Sequence, residues 1–550
     1  MTSAAPSAPA EPVKIPAYPA RRNGLEIVLP DGQGPAVVSL PEGRYLRLGQ
    51  DAARVLAHLD GSRSREAVIA ELACAMDEKT ATGLLERFTG AGLLERPDAP
   101  PPRTTVRRVA FRPPASLQFT LLRPERLFAA LRPVTRRLAR PAAGYAYVLL
   151  LLAGAVAAVA GADQLGAAMT GPTTWRTFLA AAVAMITVTA LHEFGHGLAL
   201  AHFGGTPRRM GFMLLYLSPA FFCDVSDGWR LPEKRQRVVV SLAGPAVNAG
   251  VAALAALATL VADGPTAAFC SLLAVGNGIG ALFNLTPFVK FDGYIALMSQ
   301  LDIPFLRDRA MTDARHTLGR LVFGGGPAER KLASRWAVPY GTACLLTPWL
   351  LVGWALSAYL PMLLAFGVLG AMIWLSTIAM AVSVPLRGIA RLLHAARTTG
   401  ARTLRMATGG LVAATVVTAV LTLVRVPTTV PAAYVTEHGR HVLILPDSGT
   451  RPTLHAGDRV ELRTAGLLLH PLQATATLAT DQPTRGHAPL AGFLPLHDIP
   501  GQIPVLRYEL SGDTGPAPEQ GTAAIAAGDT SLGERLAQTF LTPALRALAP

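Results

Sequence analysis

Seven stretches of mostly apolar residues, at roughly 143–161, 176–202, 236–263, 267–289, 337–359, 361–384 and 407–425, leave this chain few folds to choose from. Each is near the twenty or so residues that a helix needs to cross a bilayer's hydrocarbon layer. In that layer only helices and closed barrels satisfy their own backbone hydrogen bonds. The composition agrees, with 51% hydrophobic and only 16% charged residues. The expected fold class is therefore a mainly α polytopic membrane protein of about seven spans. The segment Met210–Phe222 is apolar but short, and is expected to form a re-entrant hairpin or interfacial element rather than an eighth span.

A net charge of +14 would point to nucleic acid if the basic residues formed a patch on a soluble domain. Instead they cluster between the apolar stretches, as in Pro133–Arg140, Pro207–Arg209, Glu233–Arg237 and Arg387–Arg405. That is the pattern of loops facing the cytoplasm, so membrane lipid is the expected partner and nucleic acid is not. The basic flanks place the N-terminal domain of a multi-pass cell-membrane protein in the cytoplasm. An odd number of spans then puts the tail from about Val426 outside. The N-terminus lacks the charged-then-apolar pattern of a cleavable signal peptide. Cys74, Cys223, Cys270 and Cys344 form no C-x-x-C pair and read as free thiols.

Outside the spans the chain divides by composition. Residues 1–22, rich in Ala, Pro and Ser, read as a flexible N-terminus. Residues 23–97 show three short strands (Leu25–Leu29, Ala36–Leu40, Tyr45–Leu48) and then three amphipathic helices (Asp51–Leu59, Ser64–Ala75, Glu78–Gly90). That order suggests an α+β winged-helix domain. A Pro- and Arg-rich connector, 98–142, leads to the membrane domain, 143–425. The tail, 426–550, alternates apolar and polar residues at Val442–Leu445, Arg459–Leu462, Leu467–Leu469 and Ile503–Leu506, and is expected to be a β-rich domain.

The chemistry is concentrated in Leu191-His-Glu-Phe-Gly-His-Gly197, which contains H-E-x-x-H at the end of an apolar run. Residues four apart share a helix face, so His192 and His196 can bind one Zn2+. Glu193 sits beside that position, where a carboxylate can take a proton from water and pass it to a leaving amine. Charged groups at membrane depth are costly and mark functional sites. A catalytic zinc needs a third protein ligand, and Asp292, in Asn284-Leu-Thr-Pro-Phe-Val-Lys-Phe-Asp-Gly293, is the candidate. Spacing alone fits an ordinary turn residue before Gly293 equally well. Asp224 and Asp227 read as turn or cap residues, and His202 falls on a different helix face from His196. Lys290 is expected to snorkel to the interface.

With Asn284, Pro287 and Asp292-Gly293 in a later span, the H-E-F-G-H span resembles the site-2 protease family of intramembrane zinc metalloproteases. With Phe291 before the Asp-Gly and Cys223-Asp-Val-Ser-Asp-Gly-Trp229 upstream, it resembles that family's peptide zinc metalloprotease branch. The resemblance covers Ala180–Leu306. It implies His192, His196 and Asp292 as metal ligands and Glu193 as general base. It also implies that Asn248, in Gly244-Pro-Ala-Val-Asn248, contacts the substrate backbone, and that Asn284 and Pro287 belong to the substrate-binding region. The stretch Leu48–Ser64 with Ala91-Gly-Leu-Leu-Glu95 resembles the PqqD-like precursor-recognition fold. That second resemblance implies a leader peptide bound as an added strand at the sheet edge, here around Val37–Leu40 and the helix Glu78–Gly90. The helix Lys79–Gly90 carries too little positive charge for a DNA reader.

The expected function is hydrolysis of a peptide bond in a membrane-associated or precursor peptide, as in leader removal from a ribosomally made modified peptide. The rival readings are regulated proteolysis of a membrane-bound regulator and a non-cleaving peptide exporter or immunity protein. A zinc transporter would need more intramembrane His and Asp residues than these spans contain.

Overall fold

The structure is a computed structural model that describes residues 15–28, 36–40, 45–95, 109–112, 116–215, 218–324, 326, 329–364, 366–398, 400–447, 454–512 and 517–548. Two compact units emerge, one of Met1–Leu149, Ile186–Gly250 and Ile295–Asp302, the other of Leu150–Met185, Val251–Tyr294 and Ile303–Pro550.

In the first unit the strands Glu26–Val28, Ala36–Ser39 and Tyr45–Leu48 form an antiparallel sheet followed by helices Gln50–Ala57, Arg65–Ala73 and Glu78–Gly90. Ser64 and Asp77 cap the second and third helices, accepting from the backbone N–H of Ala67 and Thr80. Val38, Leu40, Leu56, Leu85, Phe88 and Leu93 close the core. Two expectations are corrected here. The end of the supposed flexible N-terminus is tied down, because Ala20 bridges to Asp60 and Arg21 to Leu94; residues 1–14 lie outside the described residues. The strand Ala36–Ser39 is central in its sheet, so both of its edges are already paired and it has none for a peptide to join.

The connector is more than a link. Val109–Arg112 and Ser116–Leu122 pair with each other, and the latter pairs with Met210–Leu215, which turns back as Ser218–Cys223. The short apolar segment is therefore a β-hairpin in a four-stranded sheet. Two short helices, Glu125–Ala130 and Arg132–Leu138, follow the connector strands. The N-terminal domain meets the loop beyond this sheet through Arg230–Glu26 at 2.7 Å and through Arg47, which lies over the Trp229 ring; Arg47 also pairs at 2.8 Å with Asp302, just after the helix Asp292–Leu301.

Among the described residues, six helices are long and apolar enough to cross a membrane: Pro141–Ala160, Trp175–His202, Lys234–Thr259, Gly264–Asn284, Gly367–His394 and Thr403–Leu423. The protein is accordingly membrane-embedded. The remaining expected span is a 28-residue helix, Ala337–Leu364, that is not one of these six. Pro361, expected to open the sixth span, lies inside it; the next helix starts at Gly367, whose φ of +58° suits glycine. In the second unit small residues let helices approach closely, since a Cβ on Gly154 would fall 2.4 Å from that of Ala253.

The tail is β-rich. In order, its strands are Arg440–Pro446, Arg425–Glu437, Gln520–Ser531, Arg459–Arg463, Leu472–Leu478 and Gln502–Ser511. The last of these pairs back onto the first, closing the sheet into a barrel, and Thr484–Pro489 adds to Gln502–Ser511 outside the ring. Closure removes exposed edges. Leu467–Leu469, expected as a strand, is a loop segment instead, and the amides of Leu468 and Leu469 donate to the Met169 carbonyl. The strand Leu496–His497 pairs with Thr173–Thr174 between the first two spans, so the barrel and that loop lie at the same end of this unit. The barrel's first and last strands leave side by side, with Arg425 opposite Ser531 and the Leu532 amide donating to the Val424 carbonyl. Helices Leu532–Phe540 and Thr542–Leu548 then return to the membrane helices, where the Trp374 indole N–H donates to the Phe540 carbonyl at 2.7 Å.

Candidate metal centre

His192 and His196 lie one turn apart on the helix Trp175–His202 and are both buried, 6% and 5% exposed. The helix Lys234–Thr259 faces them with Val240, Gly244 and Asn248, three residues spaced by four and hence on one face. His196 Nδ1 lies 2.7 Å from the Val240 carbonyl oxygen. A carbonyl only accepts, so this nitrogen carries the proton and the ring's lone pair is on Nε2. His192 Nδ1 lies 2.7 Å from Asn248 Oδ1, which fixes the same tautomer. The two Nε2 atoms are 3.2 Å apart.

Two neutral ring nitrogens that near repel unless a cation or proton lies between them. With metal–nitrogen bonds of about 2.0–2.1 Å, this separation subtends roughly 100°, near the tetrahedral value. His192 and His196 thus present two imidazole nitrogens that one cation can share. Two imidazoles and a carboxylate are a donor set suited to zinc and leave a fourth position for water. Asp292 is the first residue of the helix Asp292–Leu301, and Gly293 passes so close to Leu285 that a Cβ would lie 2.1 Å from its carbonyl oxygen.

The close approach around the histidines depends on glycine. A Cβ on Gly244 would sit 2.3 Å from His196 Nε2 and 2.5 Å from His192 Nε2. One on Gly195 would meet Val247 at 3.0 Å, and one on Gly197 would meet the Phe128 ring at 2.5 Å. Phe128 comes from the connector and also packs against Phe194.

Glu193 is held from the hairpin, the Cys223 amide donating to its Oε2 at 2.8 Å. Burial, then the neighbouring carboxylates of Glu193 and Asp224, push the Cys223 thiol up to about 12. It is thus a neutral neighbour at physiological pH and not a nucleophile. Asp224 stays ionised: burial would raise it, but hydrogen bonds from Ser226 and Arg209 hold it below the ordinary carboxylate range. Asp227 accepts from the Thr206 amide at 2.8 Å, so both aspartates brace loops as expected. Lys290, expected to snorkel, pairs with Asp308 at 3.3 Å.

Asn248, which the resemblance assigns to the substrate backbone, lies against His192. Its Oδ1 accepts from His192 Nδ1 and the residue is 9% exposed. Asn284 donates to the Gly280 carbonyl of its own helix, and the Pro287 carbonyl accepts from Tyr340 Oη. Neither contact links them to the histidines. Sequence reasoning missed Val240, Gly244 and the Cys223 amide, although the spacing of 240, 244 and 248 is visible in the sequence.

No family model matches this chain, and no curated protein or solved structure matches it either.

Proposed function

We propose that the protein is a zinc-dependent intramembrane endopeptidase of the site-2 protease kind, acting on a membrane-associated or leader-bearing precursor peptide. The observation that carries this reading is the pair of Nε2 atoms 3.2 Å apart, each ring fixed through its other nitrogen, with a carboxylate on the next residue. Zinc, when bound by His192, His196 and Asp292, would supply the Lewis acidity that activates water and polarises a scissile carbonyl. The Cys223 amide orients Glu193, whose carboxylate takes a proton from water and returns it to the departing amine. Buried walls on both helices keep bulk water away from the exchange.

Asn248 and the Val240 carbonyl fix the imidazoles. Asn248→Ala is therefore expected to weaken zinc binding by about 10–100-fold, read by competition with a chelator of known affinity. Unchanged affinity would remove Asn248 from the metal centre. The N-terminal domain would recruit the peptide from the cytoplasmic side as an added strand. Its outer strands, Glu26–Val28 and Tyr45–Leu48, offer the edges for that backbone pairing.

Purified in detergent, the protein is expected to hold one zinc per chain and to cleave a candidate precursor. Chelation should stop cleavage and added zinc restore it. Wild-type protein without zinc affinity would overturn the reading and leave peptide binding without cleavage in its place.

A further inference from the structure

In the second unit the helix Leu306–Phe323 packs against Gly367–Thr398, and basic residues collect along the seam. A Cβ on Gly319 would lie 3.4 Å from Leu392 Cδ2, which sets one face of the first helix beside Leu392 on the second. Arg315 is four residues before Gly319 and shares that face. Arg391 directly precedes Leu392, and Arg387 lies one turn earlier. Arg315 is half-buried, whereas Arg387 and Arg391 are exposed.

Among the described residues none of these three arginines has a hydrogen-bond or ion-pair partner. The Arg315 nitrogens are not among the buried polar atoms sealed from solvent, so a guest can reach them. Burial, then the charges of Arg391 and Arg307, hold the Arg315 guanidinium below its ordinary pKa. The acidic residues of its own helix are already engaged. Asp308 pairs with Lys290 at 3.3 Å, and the two oxygens of Asp313 accept from the amides of Lys331 and Leu332. The facing helix, Gly367–Thr398, contains no acidic residue. Cations gathered without an anion repel one another, and a half-buried guanidinium without an acceptor has lost hydration that nothing replaces. A bound anion relieves both.

The surroundings say what carries that anion. On the helix Gly367–Thr398, positions 373, 380, 387 and 391 lie on one face, being spaced by seven, seven and four. Ile373 and Met380 are exposed, so an apolar track runs along a membrane span up to Arg387 and Arg391. On the partner helix the exposed Leu318 and Val322 flank Arg315. A free phosphate or an acidic peptide has no use for that apolar border. A phospholipid matches both parts, its acyl chain on the track and its phosphate on the guanidiniums at the end of the span.

We infer that Arg315, Arg387 and Arg391 form a binding site for the headgroup of an anionic phospholipid, with Ile373 and Met380 along its acyl chain. The site does not depend on the metal centre.

The test places the purified full-length protein in phosphatidylcholine nanodiscs with spin-labelled phosphatidylglycerol or spin-labelled phosphatidylcholine, and reads the fraction of label held by the protein. The wild type is expected to hold phosphatidylglycerol about tenfold more strongly than phosphatidylcholine. Arg391→Gln, at an exposed position, should lower that preference about fivefold, and Arg315→Gln combined with it should erase the preference. Arg459→Gln, an equal loss of charge on the exposed surface of the tail barrel, should leave it unchanged. The exposed single variant decides the matter even where the double variant fails to fold. No preference in the wild type, an undiminished one in Arg391→Gln, or an equal fall in Arg459→Gln would overturn the site. Displacement of the labelled lipid by inorganic phosphate at constant ionic strength would assign the arginines to a soluble anion and overturn the lipid.

Discussion

Gly244→Ala is expected to abolish zinc binding without touching a ligand. The added methyl would lie 2.3 and 2.5 Å from the two Nε2 atoms, where a metal's own ligand bonds would converge. The rings cannot swing aside, because their Nδ1 atoms are tied to Val240 and Asn248 on the same helix. In a helix interior alanine is favoured over glycine by about 1 kcal/mol, so a loss of zinc could not be blamed on a weakened helix. Zinc measured by mass spectrometry should fall to less than about a tenth of the wild-type content, with cleavage lost and helicity unchanged. Wild-type zinc in this variant would show that the histidines do not converge on a metal at this point.

Glu193→Gln should separate metal from chemistry. Glutamine keeps the shape, and its carbonyl oxygen can still accept from the Cys223 amide, so zinc should be retained. What disappears is a group that can take a proton, and cleavage should fall by about a thousandfold. A variant that still cuts within about tenfold of wild type would show that Glu193 is not the base.

Much of the membrane domain was legible because hydrophobic length is a local signal. H-E-x-x-H was legible because helical periodicity turns spacing into proximity. What could not be read depended on distant partners. The strand Ser116–Leu122 pairs with Met210–Leu215, about ninety residues later, and without that partner the segment reads only as a Pro- and Arg-rich connector. Ala36–Ser39 has the look of a strand, but its central position depends on neighbours on both sides. Asn248 entered only through the family resemblance, as a contact to substrate, and its contact with His192 Nδ1 depends on how two distant helices pack. Gly244 carried no chemistry of its own, and its importance lies in the volume it leaves empty.

The paired ends of the tail barrel carry a consequence for how such a protein can be rebuilt. Its entrance and exit are adjacent strands, Arg425 opposite Ser531, so the two junctions lie about a strand spacing apart. The hundred or so residues between them form an insertion through a single doorway, while the final two helices belong to the membrane body. Shuffling at those junctions can exchange the barrel as a cassette, or shorten it to a turn, with the anchoring contact between Trp374 and Phe540 left in place.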